Sequence, residues 1–144
     1  MMITSPAFAE GNMMDDKYTC KGKDINPPLK ISGIPEGAKS LALIMDDPDA
    51  PAGTWTHWVV YNIEPTEDIE EDSVPGKQGK NNFGKISYNG PCPPSGVHRY
   101  FFRLYALDTE LNLEEPPGRF ELEAAMEEHI IAKAEVFGLY GKKD

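Results

Sequence analysis

Apolar residues along this chain gather in short runs separated by Gly, Pro, Asp and Asn, with no internal repeat. Five runs, LKISGI (29–34), SLALIM (40–45), THWVVYNI (56–63), KISY (85–88) and RYFFRLYAL (99–107), are rich in β-branched and aromatic residues. Bounded by turn formers, they predict at least that many β-strands. In the last, Tyr100, Phe102, Leu104 and Ala106 fall on one face and Phe101, Tyr105 and Leu107 on the other, which predicts a central strand covered on both sides. Arg103 interrupts the second face and needs an acidic or carbonyl partner, because an unpaired buried charge is strongly destabilising. A helical period occurs once: Leu122, Met126, Ile130, Ala134 and Phe137 recur every three or four residues, with Glu121 and Glu123 near the start and Gly138 as a stop. His129 lies beside that stripe, as a boundary or surface residue. The pattern as a whole predicts a mainly β protein, an antiparallel β-sandwich with a C-terminal α-helix on its flank.

Composition narrows the class. A length of 144 residues fits one domain spanning 1–144. Against 14 Lys and Arg stand 24 Asp and Glu, a net charge of −10. That field repels nucleic acid and anionic lipid surfaces, so any bound anion has to be held locally. No apolar run approaches the roughly 20 residues of a bilayer span, and the N-terminus lacks the basic start and apolar stretch of a signal peptide. A cytoplasmic protein without stable membrane insertion is expected. In that compartment Cys20 and Cys92 are predicted to stay reduced rather than form a disulfide.

Three segments concentrate chemistry. In LALIMDDPDAP (41–51) each proline fixes its own φ and keeps the residue before it extended, so Asp47 and Ala50 sit in a nearly rigid segment. Rigid carboxylates suit recognition, although Asp47 or Asp49 could also simply accept backbone N–H groups in an Asx-turn. The Ala50–Pro51 peptide is a candidate for the cis form. In WTHWVV, strict alternation places His57 on one face with Trp55, Val59 and Tyr61, an aromatic setting that also suits a hydrogen-bonded core histidine. The Gly- and Pro-dense YNGPCPPSGVHRY (88–100) delivers His98 and Arg99 to the start of the central strand, with glycine N–H groups free to face an anion.

Taken together, DPDAP at 47–51, the tryptophan-bounded His57 and G-x-H-R at 96–99 resemble the phosphatidylethanolamine-binding protein family. SPAF, YTCKGKDINPPL (18–29), GPCPPSG and the ending FGLYG extend the resemblance, to its short bacterial and archaeal branch, over nearly the whole chain. The resemblance implies a large antiparallel sheet packed on a smaller one, with a small pocket for phosphate-type anions at one edge. Carried over, that pocket is formed by Asp47, His57, His98 and Tyr100, with Pro51, Cys92, Pro93 and Pro94 on its rim. Asp47 beside a histidine would favour a protonated imidazole able to hold a phosphoryl oxygen, and would itself suit an ethanolamine ammonium. Arg99 is expected to serve structure by pairing with Asp49. Tyr140 stands where larger members place terminal elements beside the pocket.

The expected function is non-catalytic: capture of phosphate, phosphoethanolamine or an acetate-like anion, free or on a phosphorylated partner, with no cofactor. Within the same class, the family's kinase regulators and serine protease inhibitors imply a protein partner, a kinase or a protease. Exposed aromatic strands leave a homodimer open. A hydrolase using His and Asp would need a nucleophile, for which Cys92 and Ser95 are the only close candidates. A zinc site of Asp47, His57 and His98 would have suitable ligand types but none of the short His-x-His or Cys-x-x-Cys spacings, and no metal is expected.

Overall fold

The computed structural model describes residues 1–142. Along the chain run β1 (Met2–Thr4), β2 (Leu29–Ser32), β3 (Ser40–Asp47), β4 (Trp55–Ile63), β5 (Asp68–Ile69), β6 (Lys77–Gln78), β7 (Gly96–Leu107), α1 (Arg119–Met126) and β8 (Ile130–Lys142). They form two antiparallel sheets, a small one ordered β1-β2-β5 and a large one ordered β6-β4-β3-β7-β8. One face of the large sheet, including Leu43, Met45, Trp58, Tyr100 and Phe102, packs on Ile3, Leu29, Ile31 and Ile69 of the small sheet. Its other face, including Ala42, Ile44, Val59 and Tyr61, is covered by Leu122 and Met126 of α1 together with Leu111. Every residue of β3 is buried, which is why that strand reads as an unbroken apolar run ending in two acids.

Arg103 has the partners its position demands. Its Nε and Nη2 donate to the fully buried Asp46 at 2.8 and 3.1 Å, its Nη1 reaches Glu135 at 3.2 Å, and its guanidinium lies 4.4 Å from the Phe101 ring centroid.

Several expectations are corrected. The predicted helix exists only as α1, and 130–142 is strand β8. Along β8, Ala132, Ala134, Val136, Gly138 and Tyr140 alternate onto one face, while Phe137 and, across a bulge, Ile130 take the other, and β8 pairs with β7 along nearly its whole length. Long-range pairing overrides local period. Gly138 is not a helix stop. A Cβ there would come within 2.6 Å of Met14 Cγ, so it admits the N-terminal segment against β8. KISY is not a strand, because the side chain of Asn81 gathers it into a turn, accepting Lys85 N–H at 3.0 Å and donating to the Ser87 carbonyl at 2.9 Å. The Ala50–Pro51 peptide is trans, as are all peptide bonds among the described residues.

The largest correction concerns the cysteines. Cys20 and Cys92 form a disulfide, their Cα atoms 5.5 Å apart across 72 positions of sequence. Local bonds hold them there: Cys20 N–H donates to Pro91 O, and Tyr88 Oη to Tyr18 O. Closing so long a loop restricts the unfolded chain and typically contributes about 2–4 kcal/mol. With the thiols joined, the expectation of reduced cysteines is overturned, and the cysteines no longer agree with a cytoplasmic location. No helix among the described residues is long and apolar enough to cross a membrane.

Candidate functional site

The acidic end of β3 serves two faces. Asp46 points to the helix side of the sheet, where it meets Arg103 and Arg119. Asp47, next in the strand and therefore opposite, points to the other side, where its Oδ2 accepts His98 Nδ1 at 2.7 Å. Asp47 Oδ1 accepts the N–H of Asp49 at 2.8 Å, the Asx-turn that the proline-rich segment allows. Asp49 turns outward, and both its oxygens take Arg99, through Nε at 3.0 Å, Nη2 at 2.9 Å and the backbone N–H at 2.9 Å. The expected Asp49–Arg99 pair therefore braces the turn from outside. Arg99 holds the Asp49 carboxyl below its ordinary range.

His57 departs from strict alternation. Met45 pairs with Trp58 and Asp46 with Thr56, leaving His57 as the extra residue of a β-bulge in β4. The bulge turns His57 to the same side as Trp58, away from Val59 and Tyr61, and edge-on to Tyr100 at 5.3 Å and to Phe83 at 5.2 Å. Its Nδ1 lies 2.6 Å from the Asn89 carbonyl, so Nδ1 carries the proton and Nε2 presents a lone pair. Buried Asn81 fixes this arrangement. Its Nδ2 reaches His57 O, Ser87 O and Asn89 Oδ1 within 3.2 Å, and its Oδ1 accepts the N–H groups of Phe83 and Lys85.

Burial lowers the proton affinity of His57, and neither the Asn89 carbonyl nor the charge of Asp47 fully offsets it. Asp47 favours the charged imidazole in the expected direction, but burial outweighs it for this ring. Because the unfolded chain protonates His57 first, its contribution to stability is complete above the ordinary histidine pKa of about 6.5 and is lost as pH falls below it. Thermal unfolding from about pH 7 to about pH 5 should show that loss, and His57→Gln should flatten the slope in this window. An unchanged slope in the variant would contradict the assignment.

Tyr100 follows His98 by two positions in β7 and shares its face, the rings nearly parallel at 6.4 Å. Burial, then the charge of Asp47, push its phenol far above the ordinary range, so it stays a protonated donor. Asp47, His57, His98 and Tyr100 open together on a cavity of about 350 Å3 whose walls include Pro51, Cys92, Pro93 and Pro94. Tyr140 lies elsewhere, its hydroxyl bonded to Asp16. Ala50, Ala52, Trp55 and Phe83 also line the cavity. Phe83 escaped the sequence reading, and its only signal was a lone aromatic in the polar turn that Asn81 organises. Among the described residues no Lys or Arg lines the cavity. Among the described residues no group of three or more His, Cys, Asp or Glu is placed to share a metal ion.

A family pattern described as phosphatidylethanolamine-binding protein matches residues 4–141. The UPF0098 protein of Pyrococcus abyssi is 52% identical over 155 aligned residues, covering 99% of this chain and 86% of that protein. The crystal structure of a phosphatidylethanolamine-binding protein homologue from Chlamydia trachomatis superposes with a TM-score of 0.95 at 45% identity, over 99% of this chain and 97% of its own. YbcL of Escherichia coli, described as a member of the mammalian PEBP family, does so with a TM-score of 0.90 at 30% identity, over 99% and 98%. With the pattern and both structures covering nearly the full length, and a recess lined by Asp47, Pro51 and His98 of the DPDAP and G-x-H-R segments, the chain belongs to the phosphatidylethanolamine-binding protein family.

Proposed function

We propose that this chain is a non-catalytic capture protein for a small phosphate-type group, either a phosphoethanolamine-like head group or a phosphorylated side chain of a partner. The observation that carries this reading is the convergence of four buried polar side chains, Asp47, His57, His98 and Tyr100, on one cavity with apolar walls. Charge refines the ligand class. Among the described residues the floor holds one carboxylate and no Lys or Arg, so it favours a monoanion that brings its own proton, or a zwitterion whose ammonium meets Asp47. Tyr100 donates to a phosphoryl oxygen, and His57 Nε2 accepts from an acidic hydroxyl or an ammonium.

Catalysis finds little support. The Cys92 sulfur is bonded to Cys20, and Ser95 lines a neighbouring hollow rather than this cavity. The test is calorimetric titration with inorganic phosphate, O-phosphorylethanolamine and acetate at about pH 6 and about pH 8. O-Phosphorylethanolamine should bind tightest, and its affinity should fall by roughly tenfold or more over that interval, as the phosphate loses its second proton near pH 6. No binding by any of the three, or an affinity that rises with pH, would overturn the reading.

A further inference from the structure

We propose that the Cys20–Cys92 disulfide is a positioning element of the anion cavity as well as a staple, and that its reduction by a dithiol loosens the cavity wall and weakens anion capture. The inference rests on the anion-capture reading of the site. Cys92 is itself a wall residue, continuous with Pro93 and Pro94. From Cys92 to Ser95 the chain belongs to no strand and makes no backbone-to-backbone hydrogen bond to the rest of the described residues. The sulfur bridge is therefore the covalent anchor at the point where the wall meets the cavity.

What the bridge anchors to matters equally. The segment 18–24 holds the chain leading into the wall at three further points: Tyr88 Oη donates to Tyr18 O, Cys20 N–H to Pro91 O, and Gly90 N–H to Asp24 Oδ1 at 2.7 Å. Gly90 is packed so closely on this segment that a Cβ would lie 2.1 Å from Tyr18 O. Its neighbour Asn89 supplies the carbonyl that fixes His57 Nδ1. Two residues, Gly90 and Pro91, thus separate the bridged Cys92 from the group that sets the tautomer of a cavity histidine. A shift of Cys92 is transmitted to the wall directly and to His57 through Asn89.

Both cysteines are exposed, so a dithiol can reach the bond. A thiolate of the reductant attacks one sulfur, the Cys20–Cys92 bond breaks and a mixed disulfide forms. The second thiol of the reductant then displaces the protein sulfur. Two electrons and two protons pass to the cysteines, and the reductant leaves as its own disulfide.

The experiment uses the full chain, oxidised, reduced with dithiothreitol, and reoxidised, at a temperature where circular dichroism shows all three folded. O-Phosphorylethanolamine affinity and the imidazole NMR signals of the three histidines are measured on each form, and Cys20→Ser serves as a bridge-free control. Reduction is expected to lower affinity by about tenfold or more by depopulating the competent cavity, to shift the His57 signal while sparing His129, and to be reversed by reoxidation. A folded reduced form with unchanged affinity and unchanged His57 signal, lower only in melting temperature, would reduce the bridge to a staple and overturn the proposal. Should the oxidised protein bind no probe, the capture reading fails separately. The His57 signal still decides the role of the bridge, since movement supports it and constancy overturns it.

Discussion

His98→Ala is expected to weaken binding of O-phosphorylethanolamine by about 10- to 100-fold with the fold intact. The ring is almost fully buried, its Nδ1 is committed to Asp47, and none of the described residues is hydrogen-bonded to its Nε2, leaving that end for a ligand. A hydrogen bond to a charged group is worth about 1.5–3 kcal/mol, which is about 10- to 150-fold in affinity. Removing the ring also leaves the buried Asp47 Oδ2 without its donor, so an incoming anion meets a less shielded carboxylate. His98→Gln, which can keep an N–H toward Asp47, should recover part of the loss. Calorimetry beside circular dichroism checks both, and wild-type affinity in a folded His98→Ala protein would remove His98 from the site.

Asp46→Ala is expected to have the opposite profile, a large loss of stability with the cavity retained. Asp46 is the one fully buried acid among the described residues and faces two arginines, Arg103 at 2.8 Å and Arg119 at 2.7 Å. The Arg119 Nη1 atom is buried and makes no well-aligned hydrogen bond, so it depends on the charge of Asp46. Deleting the carboxylate leaves Arg103 to Glu135 and Arg119 to Glu123 without their buried partner, and breaking a buried pair typically costs about 3–5 kcal/mol. For a chain of this size that is a fall in melting temperature of roughly 10 °C or more. Because Asp46 and Asp47 face opposite sides of the sheet, ligand affinity measured well below the melting point should stay close to wild type. Thermal unfolding and titration of one preparation give both numbers, and a melting temperature unchanged within a degree or two would contradict the account of this ion cluster.

The two central strands were the most legible part of the sequence, since β3 carries its environment in an unbroken apolar run and β7 in two largely apolar faces that only Arg103 interrupts beyond its entry. The Asp49–Arg99 pair was legible for a similar reason, as prolines and register leave a rigid acid little choice of partner. β8 was not. Its alternation of Ala, Val, Gly and Tyr is weak, and three of its residues also match a helical stripe, so only pairing with β7 decides its form. His57 illustrates a different limit: one inserted residue reverses the face of everything beyond it, and the bulge leaves no composition signal. The disulfide and Phe83 were hidden by distance along the chain, because both depend on loops that side-chain amides and carbonyls fold against the sheet.

The chain has three histidines, which makes the central claim directly measurable. His57 and His98 line the cavity, whereas His129 sits at the far end of β7 beside Asp108. Imidazole NMR signals followed during titration with O-phosphorylethanolamine should show His57 and His98 moving together, saturating at a common dissociation constant, with His129 still. Movement of His129 alone, or of the two cavity rings with unrelated constants, would contradict a shared anion site between them.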